Sequence, residues 1–299
     1  MGMRKVWIEV ALNGPWGRAR QPGIPVAEAE IIADGIACAE AGAAVIHLHA
    51  YDAATGRQRD DWQIYARIIE GIRARVDAIV YPTIPLAGSA YAGAEGDAAA
   101  RFAHVEALAA RGLIEWTVVD PGSVNFVRFG AEAREGAGFV YLNPPDHVAE
   151  GLRLATRHRL HPSYAIYEPG FLRLGAAMTA GAHGLPAPIY RLMFSDEFAW
   201  GLPPAPAFLD AYLALLAREA PAGVPWMVAG LGVDVTPLIA PAVAAGGHVR
   251  VGLEDAPWGS ERSNRAWVEA ALHQVTAAGG AAADAASVRA ALARPAAAE

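Results

Sequence analysis

The sequence predicts a (β/α)8 TIM barrel, and three observations predict it. Short, near-continuously apolar runs alternate with longer helical patterns along the whole chain, as parallel strands covered by helices require. Eight such runs are present. Polar side chains gather where the runs end, which is where a barrel keeps its chemistry.

The strands are expected at "VWIEVALN" (6–13), "AAVIHLHA" (43–50), "AIVYPTI" (78–84), "EWTVVD" (115–120), "SYAIYE" (163–168), "PIYRLMF" (188–194), "PWMVAGL" (225–231) and "HVRVGLE" (248–254). Helical patterns fall between them at 26–42, 61–76, 98–112, 145–159, 206–219 and 263–280. Several end at Gly, the residue that a left-handed C-cap favours. The Ala-rich tail, 281–299, has room for one short helix and carries no chemistry. No linker or repeat divides the chain, so residues 1–299 are expected to form one barrel domain with that tail appended. A doubly wound sheet would also alternate strand and helix. It would need a Gly-rich phosphate turn after the first strand, and "LNGPWG" lacks the G-x-G-x-x-G spacing.

Composition narrows the function. With 54% hydrophobic and 18% charged residues, the 299-residue chain has ample material for a core. A formal net charge of −7 without a basic block removes the electrostatic footprint of nucleic-acid binding. The single cysteine, Cys38, excludes an intramolecular disulfide and a cysteine zinc knuckle, so a metal would need His and carboxylate ligands. No segment reaches 18 uninterrupted apolar residues and the N-terminus lacks a cleavage signal. A soluble, cytoplasmic protein without a membrane partner is expected.

His47 and His49 lie at i and i+2 of the second strand, so both point to one face with Cα atoms about 6.5 Å apart. That spacing lets two imidazoles converge on one ion. The pair alone fits two satisfied core histidines equally well. Glu254 and Asp255 follow the eighth strand, which a barrel returns beside the first, and Arg250, Gly252 and Glu254 share a face by the same period. His47, His49 and Glu254 then give three ligands with open positions, the usual form of a catalytic zinc site. Without the histidines, Glu254-Asp255 would read as an ordinary polar loop. Asn13, Thr83, Asp120, Ser123, Asn125 and Glu168 stand at or just beyond other strand ends, where each taken singly fits a turn or a helix cap.

"VALNGPW", "AGAAVIHLHAYD", "VVDPGSVNF", "YEPGF" and "GGHVRVGLED", in this order over about 250 residues, resemble the β-keto acid cleavage enzymes of the 3-keto-5-aminohexanoate type. The resemblance implies a zinc-dependent barrel, a homotetramer, in which a β-keto acid and acetyl-CoA exchange carbon units in a retro-Claisen manner to give a CoA thioester and an acetoacetate-type product. By that analogy His47, His49 and Glu254 are the zinc ligands, Asp255 is the general base and Arg250 holds it. Thr83, Ser123, Asn125 and Asn13 are the substrate-binding candidates. The sequence departs from the family at Tyr51-Asp52, where an Arg and Asp are common, and at Ser163 and Ala165, where acidic residues are common. It departs again at Asn13-Gly14-Pro15-Trp16, where an amine substrate would want a carboxylate. The aromatic loop predicts a β-keto acid with a neutral or apolar chain.

Two other functions fit parts of the pattern. A zinc-dependent barrel hydrolase would place its His-x-His on the first strand and add histidines on the fifth and sixth, which "SYAIYE" and "PIYRLMF" lack. A non-catalytic small-molecule-binding barrel would have no use for the ligand set. The Gly-rich "VAGLGVD" (228–234) resembles a phosphate cup, suited to a sugar phosphate or to CoA.

Overall fold

The computed structural model describes residues 3–52, 54–86, 97–131 and 138–293. Among them, eight strands form one sheet: β1 (Ile8–Ala11), β2 (Val45–Leu48), β3 (Ile79–Pro82), β4 (Trp116–Val118), β5 (His161–Ile166), β6 (Ile189–Phe194), β7 (Trp226–Gly230) and β8 (His248–Val251). Their order is β3-β2-β1-β8-β7-β6-β5-β4, and every ladder is parallel. The end strands β3 and β4 are consecutive in sequence and lie against each other, so the ring is nearly closed.

Helices flank the strands: α1 (Glu28–Glu40), α2 (Trp62–Arg73), α3 (Ala98–Arg101), α4 (Ala103–Ala109), α5 (Pro145–His158), α6 (Pro169–Gly181), α7 (Pro206–Glu219), α8 (Thr236–Ala245), α9 (Asn264–Ala277) and α10 (Ala285–Leu292). Helical spacing explains the packing. In α2 the buried Ile64, Tyr65, Ile68, Ile69 and Ile72 recur at three and four residues, while Asp61 caps the first turn by accepting from the Gln63 N–H. Ser263 caps α9 in the same way, accepting from the Ala266 N–H. No helix among the described residues is long and apolar enough to cross a membrane.

The structure refines the expected elements at several points. The run 6–13 divides: Arg4–Val6 pairs in parallel with Gly280–Ala282 outside the barrel sheet, and β1 begins only at Ile8. The helix expected over 98–112 breaks at Phe102 into α3 and α4. Helices α6 and α8 were hidden because Gly and Pro dilute their patterns; both carry Pro in the first turn, and α8 contains Pro241 as well. The Ala-rich tail does form a helix, α10, while its last residues, 294–299, lie outside the described ones.

Two hairpins were not legible in the sequence. Val124–Val127 pairs antiparallel with Gly138–Tyr141, and Tyr51–Asp52 pairs with Arg57–Gln58. Both follow C-terminal ends of barrel strands, and both supply residues to the site.

Candidate metal centre and active site

Each candidate ligand is positioned by local structure. His47 sits in β2 in register with Ala11 of β1 and Tyr81 of β3. One residue beyond the strand, His49 is fixed through its backbone: its N–H donates to Asn13 Oδ1 at 2.9 Å, and its carbonyl accepts from Asn13 Nδ2 at 2.9 Å. The two imidazole rings meet edge to face, 5.3 Å apart.

Glu254 arrives differently from expectation. β8 ends at Val251, so no strand face carries Glu254. Instead Gly252 turns the chain at φ +133°, where a Cβ would lie 2.2 Å from the Ala11 carbonyl oxygen; only glycine fits. The Glu254 N–H then donates to Ala11 O at 3.2 Å, which pins the carboxylate over the barrel mouth. Gly14 makes room for it, since a Cβ there would approach Glu254 Cγ to 2.6 Å.

The three side chains converge. Glu254 Oε2 is 3.6 Å from His47 Nε2, and Oε1 is 3.4 Å from His49 Nε2. One ligand atom from each residue fits within 4.8 Å of the others, the one such trio among the described residues. All three residues are buried, yet His49 Nε2 and Glu254 Oε2 have no hydrogen-bond partner. Buried polar atoms left without partners cost free energy, and a cation held among them would satisfy both.

A further layer sets the tautomer of His49. Gln58, from the short hairpin, donates through Nε2 to Asp60 at 3.0 and 2.8 Å, so its amide oxygen faces His49 Nδ1 at 2.9 Å. Tyr65 OH also donates to Asp60, at 2.8 Å. Nδ1 therefore carries the proton and Nε2 presents its lone pair to the trio, the usual arrangement for a metal-ligating histidine. Burial holds His47 neutral, with its pKa well below the usual histidine value. Burial opposes charge on Glu254 too, but Arg250 and the two histidines outweigh it and hold its carboxyl well below the usual range. At His49 burial is likewise outweighed, by Glu254 and the Gln58 bond, and its pKa is raised.

Beneath the trio lies a charged layer. Arg250 donates to Asp255 through two parallel bonds, Nε to Oδ2 at 2.8 Å and Nη2 to Oδ1 at 2.9 Å, and to Glu9 at 3.0 Å through Nη1. Tyr81 OH adds a 2.8 Å bond to Glu9. Burial, helped by the Glu254 charge, lifts the Asp255 pKa to about 6 against the pull of Arg250. With Arg191 and Asp120, 3.6 Å apart, the trio and the layer beneath it hold four buried carboxylates (Glu9, Asp120, Glu254, Asp255) and two guanidiniums (Arg191, Arg250). Two negative charges remain uncompensated. A divalent cation among His47, His49 and Glu254 would balance them, and imidazole with carboxylate is a donor set that suits zinc.

The trio opens into a pocket walled by Pro15, Trp16, Gln58, Thr83, Asp120, Arg191 and an aromatic group that includes Phe126, Phe139, Tyr141 and Tyr167. Of the four substrate-binding candidates, Thr83 lines this pocket. The structure places the other three elsewhere. Asn13 is fully buried, its amide committed to the His49 backbone and to Pro25 O. Ser123 Oγ accepts from the Asn143 N–H at 2.8 Å, and Asn125 is exposed on the hairpin. Asp255 stands behind the pocket wall rather than in it. Trp16 donates from Nε1 to Glu254 O at 2.9 Å and so braces the Glu254 loop, while Tyr51 OH donates to Gly14 O in the loop after β1. Glu168 accepts from the Gly201 N–H. In the Gly-rich loop, the Leu231 and Val233 N–H groups are already spent on Phe194 O and Asp255 O, which leaves fewer donors for a phosphate.

Sequence reasoning missed Gln58, Glu9 and Arg191 as site residues. Glu9 and Arg191 had a signal: a lone charge inside an otherwise apolar barrel strand. Gln58 had none, because its position depends on a two-residue strand.

A family profile described as beta-keto acid cleavage enzyme matches residues 5–293. Similar curated proteins include the 3-dehydrocarnitine:acetyl-CoA trimethylamine transferase of Rhizobium meliloti (strain 1021), 27% identical over 267 residues and covering 84% of this chain and 83% of that one. The 3-oxoadipate:acetyl-CoA acetyltransferase of Cupriavidus necator is 28% identical over 251 residues, covering 83% and 79%. Among solved structures, the apo structure of ObcA matches with a TM-score of 0.73 at 17% identity, over 92% of this chain and 66% of that one. This chain spans about two thirds of ObcA, and the likeness supports the barrel fold alone.

Proposed function

The chain belongs to the β-keto acid cleavage enzyme family, and from that premise we propose that it is a zinc-dependent acyltransferase. In this reading it condenses a β-keto acid with acetyl-CoA and cleaves a C–C bond, retro-Claisen fashion, to a CoA thioester and an acetoacetate-type product. The observation that carries the zinc dependence is the buried trio of His47, His49 and Glu254, in which the converging His49 Nε2 and Glu254 Oε2 lack partners. The names of the two curated relatives, both acetyl-CoA transferases, support the co-substrate.

His47, His49 and Glu254 would hold the zinc, which would supply a Lewis acid where negative charge develops. The chain's own residues do the rest. Arg250 fixes Asp255 and, at 3.2 Å, Glu254, so that neither carboxylate drifts. Asp255, with its pKa lifted toward neutrality, moves the proton, and its place behind the wall calls for one bridging water. Thr83 donates a hydrogen bond to the substrate, and the aromatic hairpin keeps bulk water from the pocket. We propose a cytoplasmic homotetramer, for which the exposed Phe129, Phe139 and Val140 of the hairpin region offer an apolar surface.

The test is a CoA-thioester assay of purified protein against a panel of β-keto acids. Formation of a new acyl-CoA from acetyl-CoA, dependent on the keto acid, is expected. Hydrolysis of an amide or lactone with no acyl-CoA formed would favour the zinc hydrolase instead.

A further inference from the structure

Arg191 lies in the middle of β6, in register with Ala165 of β5 and Met227 of β7, and its side chain reaches the pocket floor with 4% exposure. Among the described residues it is the only cationic side chain in that wall. Its hydrogen bonding is incomplete. Nη2 donates to Ser163 O at 3.2 Å, while Nε is buried with no partner. Asp120 does not fill the gap: at 3.6 Å it is beyond good hydrogen-bond length, and its oxygens already accept from the Ala165 N–H at 2.9 Å and from Tyr141 OH at 2.6 Å.

A buried guanidinium with an unused donor facing a pocket is costly unless a ligand completes it, and its planar fork matches a carboxylate. We propose that Arg191 binds the carboxylate of the β-keto acid and so selects 3-oxo acids over their neutral amides and esters. Carboxylate and ketone in such an acid are one methylene apart, and the same pocket wall holds both Arg191 and the metal trio. Arg191 is also close enough to His47 for its charge to bear on that ring. The residue therefore acts as a specificity determinant, distinct from the base and from the metal ligands. The inference rests on the β-keto acid reading above.

Calorimetric titration of the zinc-loaded protein with acetoacetate and with acetoacetamide tests it. The wild type should bind the acid at least about tenfold tighter than the amide, since hydrogen bonds to charged groups discriminate on that scale. Arg191→Gln should bring the ratio close to one mainly by weakening the acid, with zinc content unchanged. Arg191→Lys, which keeps the charge without the fork, should retain part of the preference and guards against misfolding of the first variant. A preference for the acid that survives Arg191→Gln, or an equal loss of both ligands, overturns the proposal. A wild type that binds neither probe overturns the β-keto acid reading itself.

Discussion

His49 and Gln58 are joined at 2.9 Å, ring Nδ1 to amide oxygen, and this one bond decides which face of the imidazole looks into the metal trio. Replacing Gln58 by Leu removes the acceptor that orients the ring. Zinc affinity should fall about 10- to 100-fold, the usual cost of losing such a partner, while the barrel stays intact because Gln58 sits on a short hairpin outside it. Competition with a fluorescent chelator measures this, and an unchanged affinity would remove Gln58 from the account.

Glu254 and Asp255 are neighbours in sequence, and the proposed mechanism gives them separate tasks, metal ligand and base. Asp255→Asn should keep zinc and lower kcat by roughly 10²- to 10⁴-fold, the range of general acid–base catalysis. Arg250 still has Glu9 and Glu254 as partners in that variant, so the buried guanidinium is not stranded. Glu254→Gln should instead weaken the metal. The opposite pattern of metal contents would mean the two roles are exchanged.

His248 gives the fold an acid-sensitive point away from the site. Its ring stacks on Trp7 at 4.0 Å, and its Nδ1 accepts the Trp7 N–H at 3.1 Å, so the folded state needs the neutral form. Burial, with Arg4 nearby, depresses its pKa to about 3. The unfolded chain binds the proton first, so this contribution to stability is present above the usual histidine value of 6.5 and is lost as pH falls toward 3. At pH 5 the loss relative to pH 7 should be roughly 2 kcal/mol. Urea unfolding of wild type and His248→Phe at the two pH values isolates it: the variant should show a smaller acid penalty, and equal penalties would refute the assignment.

Substrate preference follows from the pocket wall. Trp16 has spent its N–H on Glu254 O, Asp120 has both oxygens engaged and Glu254 is assigned to the metal, so the described pocket wall offers no further carboxylate to receive an ammonium. An uncharged 3-oxo acid should therefore exceed 3-keto-5-aminohexanoate in kcat/KM. Cation–π contact offsets this by only about 0.5 to 2 kcal/mol. A clear advantage for the amine would contradict the reading.

The barrel was legible because strand periodicity and parallel burial leave a direct mark on composition: seven of the eight expected runs contain their strand, and the run 163–168 overlaps β5, which starts two residues earlier at His161. The convergence of His47, His49 and Glu254 was legible for a related reason, since the two histidines stand at fixed strand spacing and Glu254 follows a strand that must return beside the first. What the sequence concealed depends on geometry beyond any one element. Glu254 reaches the trio through the Gly252 turn rather than along β8, and Gln58 through a hairpin. Asn13 looked like a substrate ligand because it ends a strand, yet its amide is used up in holding His49. A polar residue at a strand end can serve substrate or backbone, and only the partner atoms tell them apart.

In the proposed enzyme, His47, His49 and Glu254 hold one zinc ion per chain. Metal analysis of purified wild type, His47→Ala and His49→Ala, with circular dichroism as a fold control, tests it most directly. One equivalent of zinc in the wild type, lost from both folded variants, is the predicted result. Stoichiometric zinc retained by both variants would contradict it.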